Sequence, residues 1–496
     1  MKNHPLREAP LLRLAVCLML GIAAIYSCGS CPLWPLFTGL VVILAIALLL
    51  WKLPRAQSVA IAACFSVLGA LLLERHRQEL IVDWPEGKVV FEAVVLTEPV
   101  EKPRTMALDI LLIGNGRKLK CYLAKDDRCR RLRVGDGLRL CAVIQPNREW
   151  RSGTFDYRLF LEVHGFTGMT FAGGNWQKRE VSLWGVSRLQ RTRLFFLRQR
   201  SRLLERLRMQ GLADDAYAVV AAMTLGDKSA LSGRMKDVYS RTGASHVLAL
   251  SGLHLGIIYT LLSLMVVGRR WRVLSQLLVV LSIWAFVFLV GMSVSVVRAA
   301  VMISTYALLS LGHRDKMSVN TLAFTAIIML MANPYALFDV GFQLSYLAVF
   351  AILVLLPLSD RLVSREFLMS HGLLRWLWGM ASVSCAAQIG VAPLIAYYFG
   401  RFSTFFFLTN FVVVPATMLI LYLSLATLML PPMAPLLLAV VGLLNALLTR
   451  MAAIPGTSIE GLNPSMLQVS MIYVIIAALY LLMLRWPTSV RLSDRG

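Results

Sequence analysis

The residues best suited to chemistry crowd into one stretch, Thr242-Gly243-Ala244-Ser245-His246-Val247-Leu248-Ala249-Leu250-Ser251-Gly252-Leu253-His254-Leu255-Gly256, inside a long apolar run. Polar groups in such a run need a partner or water, because an unsatisfied one in hydrocarbon is expensive. His246 and His254 are eight apart, nearly on one helical face, and Gly252 and Gly256 allow a break or close packing. An interrupted helix beside a cavity is the expectation. Ser251 with His254 also invites a serine-hydrolase reading, but i and i+3 on one helix suits a nucleophile and its base poorly. No Gly-x-Ser-x-Gly elbow and no Gly-x-x-x-x-Gly-Lys-[Ser/Thr] loop occurs, and seven scattered histidines offer no clustered metal site. No catalytic residue, metal or cofactor is expected.

Other polar residues fall at comparable depths in apolar runs: Arg298, Asp339 with Gln343 and Tyr346 at i+4 and i+7, Gln388, and Asn410. A bare Arg in hydrocarbon is costly, so Arg298 should face protein or water, with Asp339 as its expected ion-pair partner. At this point two meanings stay open for the set: the lining of a pathway, or buried hydrogen bonds between helices.

A second group is basic and aromatic. Lys118, Lys120, Arg128, Arg130, Arg131 and Arg133 form the densest local cluster, and Tyr122, Trp150, Phe155, Tyr157 and Phe171 are near it in sequence. Cations beside stacking aromatics suit a single-stranded polyanion. Between residues 117 and 208 there are 22 Lys/Arg and 8 Asp/Glu, +14 of the total +23. Cys121 and Cys129, across a short turn, are the candidate disulfide if the region lies outside the cytoplasm.

The elements that must carry these residues are legible from composition and period. The 496 residues are 58% hydrophobic and 16% charged, with a mean hydropathy of +0.68, which argues for a polytopic membrane protein and excludes a disordered chain or a soluble Rossmann enzyme. Three apolar runs lie in 1–75, the first following Lys2, Arg7 and Arg13; a retained helix suits it better than a signal peptide. From 86 to 175 the pattern becomes short β-branched runs separated by breakers such as Gly114-Asn115-Gly116 and Gly135-Asp136-Gly137, which predicts a small all-β barrel or sandwich. A connector, 180–243, includes eight arginines from Arg188 to Arg208 among large apolar residues, read as a helix lying on the membrane surface. Nine further spans are expected in 244–485, then a cytoplasmic tail, 486–496. Basic loops alternate with charge-poor ones, Arg401 and Arg450 excepted, so the positive-inside rule puts both termini in the cytoplasm and the β region outside.

Several stretches resemble a known family, the ComEC proteins that take up DNA in natural competence. They are Thr224-Leu225-Gly226-Asp227-Lys228, Ser245 to His254, Ala336-Leu337-Phe338-Asp339-Val340-Gly341-Phe342-Gln343-Leu344-Ser345-Tyr346, and Tyr398-Phe399-Gly400-Arg401-Phe402-Ser403, with Gly153-Thr154-Phe155-Asp156-Tyr157 before His164-Gly165. The resemblance implies an OB-like β domain, a helical core that conducts single-stranded DNA, an outer DNA receptor and a cytoplasmic ATP-driven helicase as partners, and a homo-oligomer as one arrangement. Many members continue into a metallo-β-lactamase-like nuclease domain. Its His-x-His-x-Asp-His motif does not occur in this sequence, so a separate nuclease is expected.

The expected architecture is a polytopic α-helical protein of the bacterial inner membrane with an inserted extracytoplasmic OB-like all-β domain. Lys118, Lys120, Tyr122, Arg128, Arg130, Arg131, Arg133 and Trp150 would bind DNA; His246, Ser251, Gly252, His254, Arg298, Asp339, Gln343 and Asn410 would line the conduit. The rival from another class is an envelope polysaccharide ligase or polymerase, which would also use intramembrane Arg and His near the outer face.

Overall fold

The computed structural model describes residues 9–147, 151–152, 155–182, 184–265, 272–311, 318–359, 362–363 and 365–485. Three helices open it: α1 (Pro10–Cys28), α2 (Leu33–Leu49) and α3 (Pro54–Leu80). The α1–α3 crossing is set by two glycines. A Cβ on Gly21 would collide with the carbonyl oxygen of Ser66, and one on Gly69 with that of Leu18. Small residues let the backbones approach, and the Ser66 hydroxyl donates to Cys17 O at 3.0 Å across the same crossing. Near its end α3 carries a buried carboxylate, Glu74, paired with Arg77 at 3.1 Å.

The β domain follows: β1 (Val89–Val95), β2 (Val100–Glu101), β3 (Thr105–Leu112), β4 (Lys118–Ala124), α4 (Asp127–Arg130), β5 (Gly137–Ala142), β6 (Ile144–Gln145), β7 (Arg151–Ser152), β8 (Phe155–Asp156), α5 (Tyr157–Val163), β9 (Phe166–Gly173) and β10 (Trp176–Lys178). The main sheet runs β10-β5-β1-β3-β4-β9-β6, with β2 on β3. Only β4–β9 is parallel. Because β5 and β6 are separated by Val143 alone, one bent strand pairs with β1 at one end of the path and with β9 at the other, curling the sheet back on itself. Alternation decides the faces. On β4, Leu119, Cys121 and Leu123 point into a core with Leu108, Ile110, Leu138 and Leu140, while Lys118, Lys120 and Tyr122 point out.

Two helices join this domain to the rest. The α5 end reaches the helical core, where the Asn333 amide donates to Val163 O at 3.0 Å and Val163 packs in a cluster with Tyr335. The basic helix α6 (Arg188–Met209) begins with a capping box made by Ser187 and Gln190. Its Leu194 and Leu197 pack under the sheet with Val94 and Leu111; Leu204 and Leu207 enter the core of the helical unit. The apolar stripe expected to meet lipid is therefore covered by protein at both ends. This corrects the surface-helix expectation: the same amphipathic pattern serves a helix wedged between two units.

The helical unit continues with α7 (Asp214–Leu225), α8 (Gly233–Arg241), α9 (Ser245–Leu248), α10 (Gly252–Met265), α11 (Arg272–Leu289), α12 (Val294–Leu311), α13 (Val319–Ala332), α14 (Val340–Ser359), α15 (Arg365–Ser370), α16 (Gly372–Phe399), α17 (Phe406–Met429), α18 (Ala434–Ala452) and α19 (Met466–Arg485). Strands β11 (Arg401–Ser403) and β12 (Ser458–Glu460) pair between α16 and α17 and after α18. Among the described residues eight helices are long and apolar enough to cross a membrane, and four shorter apolar ones lie at 252–264, 273–289, 294–308 and 319–332. These twelve occupy the positions of the twelve expected spans. The protein is a polytopic helical membrane protein with an inserted β domain.

Candidate functional site

The apolar run around the two histidines does break. Between α9 and α10, residues Ala249 to Ser251 leave the helix, so His246 and His254 sit on different helices rather than on one face. His246 is exposed, its Nδ1 3.0 Å from Gly243 O, whereas His254 is fully buried. Ser251 is the residue before α10. Its backbone N–H donates to His254 Nδ1 at 3.3 Å, and its Oγ lies 3.1 Å from the same nitrogen. A side chain three residues into the helix thus reaches back to the first amide, as in a capping box. Since an amide can only donate, Nδ1 is the acceptor and the ring proton is on Nε2. That Nε2 is buried without a hydrogen-bond partner, so no acid orients the ring. The Ser–His contact exists, but as a helix cap and not as the base of a catalytic triad.

Arg298, on α12, approaches the same helix start. Its Nη2 lies 3.7 Å from where a Cβ on Gly252 would stand. The residue is 5% exposed, its guanidinium lies over the Tyr346 ring at 5.4 Å, and Nε and Nη1 have no hydrogen-bond partner among the described residues. The expected Arg298–Asp339 ion pair is not formed among the described residues. Asp339 instead accepts from Phe342 N at 2.8 Å and caps α14. Capping needs the carboxylate at the helix start, and this holds it away from the guanidinium. Gln343 accepts from the Tyr398 hydroxyl at 2.9 Å and donates to Leu337 O at 2.9 Å. Asn410 donates to Ser384 Oγ at 3.2 Å, its Oδ1 buried without a partner.

The motif stretches, spread over more than 170 residues, are stitched together. Gly226 ends α7 at φ 71°, and a Cβ there would meet Leu250 Cδ1 at 2.6 Å, beside the α9–α10 break. Gly243, at φ 80°, leaves room for Ser403, 3.0 Å from the missing Cβ. Arg401 donates to Asp237 Oδ1 and to Ser240 Oγ, both at 3.1 Å, so this loop cation is paired with α8. Tyr398 then joins the fourth stretch to the third through Gln343. Ser251, Gly252 and His254 meet at the start of α10, and Arg298 reaches Gly252; His246, Asp339, Gln343 and Asn410 make their contacts elsewhere.

The basic cluster of the β domain divides. Lys120 pairs with Asp109 at 2.7 Å, and Lys118 lies 4.0 Å from Asp109 and 3.9 Å above the Phe166 ring. Burial, opposed by Asp109, pushes the Lys118 amine down to about 8. Arg128 pairs with Asp126, Arg130 reaches Glu101 and Asp127, and Arg133 pairs with Glu205. Arg131 is exposed and makes no ion pair among the described residues. Tyr122 stacks on Phe171, ring centroids 4.8 Å apart and nearly parallel, and its hydroxyl meets that of Tyr157 at 2.7 Å. Phe171 is 54% exposed, which leaves a free aromatic face. Trp150 lies outside the described residues. Cys121 and Cys129 are free, buried thiols, so the expected disulfide is absent; Cys129 Sγ lies 3.2 Å from Ala124 O. Burial in the β-domain core pushes the two thiols up to about 12 and about 11.

Sequence reasoning missed a junction. A cavity of about 350 Å³ lies between sheet, α6 and helical core, lined by Lys118, Arg193, Arg200, Asp227, Lys228 and Lys236 among others. Arg200 reaches Asp227 at 3.5 Å, and Nε of both Arg193 and Arg200 is buried without a partner. The signal was present: Arg193 and Arg200, seven apart, fall among Leu194, Leu197 and Leu204. Among the described residues no group of three or more His, Cys, Asp or Glu could hold a metal ion.

Comparison with known proteins places these stretches. Residues 223–486 match the model of the Competence protein family. The chain is 24% identical to ComE operon protein 3 of Bacillus subtilis over 382 residues, 75% of this chain and 46% of that protein. It is 29% identical to an uncharacterized protein of Aquifex aeolicus over 217 residues, 44% of this chain and 48% of that one. A third relative, an uncharacterized protein of Mycoplasma genitalium, is 29% identical over 170 residues, 34% of this chain and 41% of its own. The chain spans about half the length of the relatives it matches. No solved structure matches. The four stretches that meet around the α9–α10 break all lie in the matched segment, and the chain belongs to the ComEC-type competence protein family.

Proposed function

We propose that this protein carries single-stranded DNA across the bacterial inner membrane during natural transformation, and that it acts as a transport protein rather than as an enzyme. The observation that carries the reading is the convergence of the family's motif stretches on a broken helix, beside which buried donors, His254 Nε2 on α10 and Arg298 Nε and Nη1 on α12, lack acceptors among the described residues. Each such group costs about 1–3 kcal/mol when left unmade, and a passing polyanion with its water offsets that cost. The barrel supports the capture half. Its strand path, with one parallel closing pair, is what an OB-type barrel would have, and such barrels hold single strands by stacking and by charge. In this scheme the stacked Tyr122–Phe171 pair receives bases, and the Arg193–Arg200 cavity lies between that platform and the core.

The β domain lies outside the cytoplasm in this proposal, so an outer receptor delivers the strand and a cytoplasmic ATP-driven helicase pulls it. A nuclease step, where one occurs, belongs to a separate chemistry. The test is uptake of labelled DNA. Deleting the gene should abolish DNase-protected label and transformants while leaving surface glycan intact; unchanged transformation, or altered glycan alone, would reject the proposal. Capture by the β domain further requires that the purified full chain bind oligodeoxythymidylate with affinity falling steeply as salt rises.

A further inference from the structure

We infer that the start of α10 is a phosphate station: the first-turn amides, His254 Nε2 and the Arg298 guanidinium together hold one backbone phosphate of the passing strand. The inference rests on the transport reading and names what that site recognises. A helix start carries outward amides and the positive end of the helix dipole, so it favours an anion. Broken helices in transporters use their half-helix starts in this way.

Here three independent features agree. The break at Ala249–Ser251 creates a half-buried helix start beside buried Arg298 and His254, with α10 running 14 residues behind it. Arg298, 5% exposed and with two nitrogens lacking any acceptor, brings Nη2 to 3.7 Å from the Cβ position of Gly252, the first residue of α10. The one carboxylate expected to neutralise Arg298, that of Asp339, is committed to Phe342 N instead. A buried guanidinium with neither hydrogen bond nor carboxylate is a standing cost. An evolved core retains such a group when a ligand completes it.

The identity of residue 252 fits. A Cβ there would stand 3.5 Å from Ala299 Cβ and 3.7 Å from Arg298 Nη2, ordinary contact distances. Glycine is therefore not required for helix packing, and its absent side chain leaves unfilled the position between the helix start and the guanidinium. His254 adds a donor from the third position of the same helix, its other nitrogen held by Ser251 N. A strand phosphate is favoured over a lipid headgroup because Arg298 is covered by protein and not by the lipid-facing surface.

The experiment uses the full chain in nanodiscs of phosphatidylcholine, with unfolding followed by tryptophan fluorescence, and inorganic phosphate as the probe against chloride of equal ionic strength. Phosphate should raise the unfolding temperature of the wild type by several degrees, as a ligand bound only to the folded state does. Arg298→Met should lose that shift without a lower starting temperature, and Arg298→Lys should retain part of it. In cells Arg298→Met should still bind labelled DNA at the surface but import at least tenfold less. A wild type with no phosphate-specific shift overturns the station, as does an Arg298→Met protein that keeps it. If Arg298→Met fails to assemble, Gly252→Ala decides, because it fits without collision: loss of the shift supports the station and retention overturns it. A rise on adding phosphatidylglycerol that phosphate cannot extend assigns the site to lipid and overturns the strand assignment. Loss of transformation on deletion, with no phosphate shift, removes the station alone; a normal shift with intact transformation removes the transport reading instead.

Discussion

At the residue scale His254 holds two roles that one substitution would confound. Nδ1 accepts from Ser251 N and caps α10, while Nε2 offers a buried proton with no acceptor. His254→Ala removes both, and loss of the cap should lower stability by about 1 kcal/mol. His254→Asn keeps an acceptor for Ser251 N and removes the Nε2 donor. It should unfold within a few tenths of a kcal/mol of the wild type yet import DNA no better than His254→Ala. Thermal unfolding beside DNase-protected uptake separates the two; normal uptake by the Asn variant would leave His254 with the cap alone. Lys118 gives a pH prediction. Its amine is held down at about 8, below the ordinary lysine value, so between pH 8 and 10 the unfolded chain binds more protons than the folded one. Stability then rises with pH through that window. Cys121 and Cys129, held up by burial, act oppositely once unfolded thiols ionise above about pH 8.5. The unfolding temperature should climb above pH 7.5 to a shallow maximum between about pH 8 and 9 and fall beyond it, where two thiols outweigh one amine, and Lys118→Met should erase the climb.

At the scale of elements, period and composition located every long helix but said little about what each meets. The twelve apolar helices, eight of them long enough to cross a membrane among the described residues, are legible because hydrocarbon demands continuous apolar runs. The β region is legible because its runs are short and broken by glycine. Long-range pairing is not legible. Arg298 and Asp339 are opposite charges at suitable depths, yet the local amide of Phe342 takes the carboxylate. Lys118 and Lys120 look like free surface cations until β3 brings Asp109 across from Lys120. The stripe on α6 shows an apolar face without saying whether lipid or protein covers it. Where the α1–α3 crossing is concerned, the glycines do say. Gly69→Leu must push α3 from α1, since a single Cβ already collides with Leu18 O. It should cost at least about 3 kcal/mol, or prevent assembly, whereas Gly39→Leu on α2, where the added atom meets open space, should be tolerated. Parallel unfolding of the two variants in detergent checks this.

For the whole molecule, the charge pattern of the loops supports a proposed topology. In that proposal, with both termini inside, the tip between β9 and β10 faces out. Gly174, at that tip, has open space around it. In a background without native cysteines, Gly174→Cys should react with a membrane-impermeant maleimide in intact spheroplasts; a label seen only after lysis would invert the orientation. Packing adds what charge cannot. The helical unit has separately filled interiors: one gathers α7, α8, α17 and α18 and takes in Val247 and Leu248, and another gathers α10, α11 and α12 and takes in Leu250 and Leu255. The broken stretch Ala249–Ser251 runs along the seam between them, bridged by the small group Ile257, Ile258 and Leu421. An energised membrane tolerates no standing hole as wide as a polynucleotide, because ions would drain through it. Slip along this seam would leave most of both interiors packed. Under the transport proposal, such a slip would bare Ser251 and His254 while a strand is threaded and cover them again behind it.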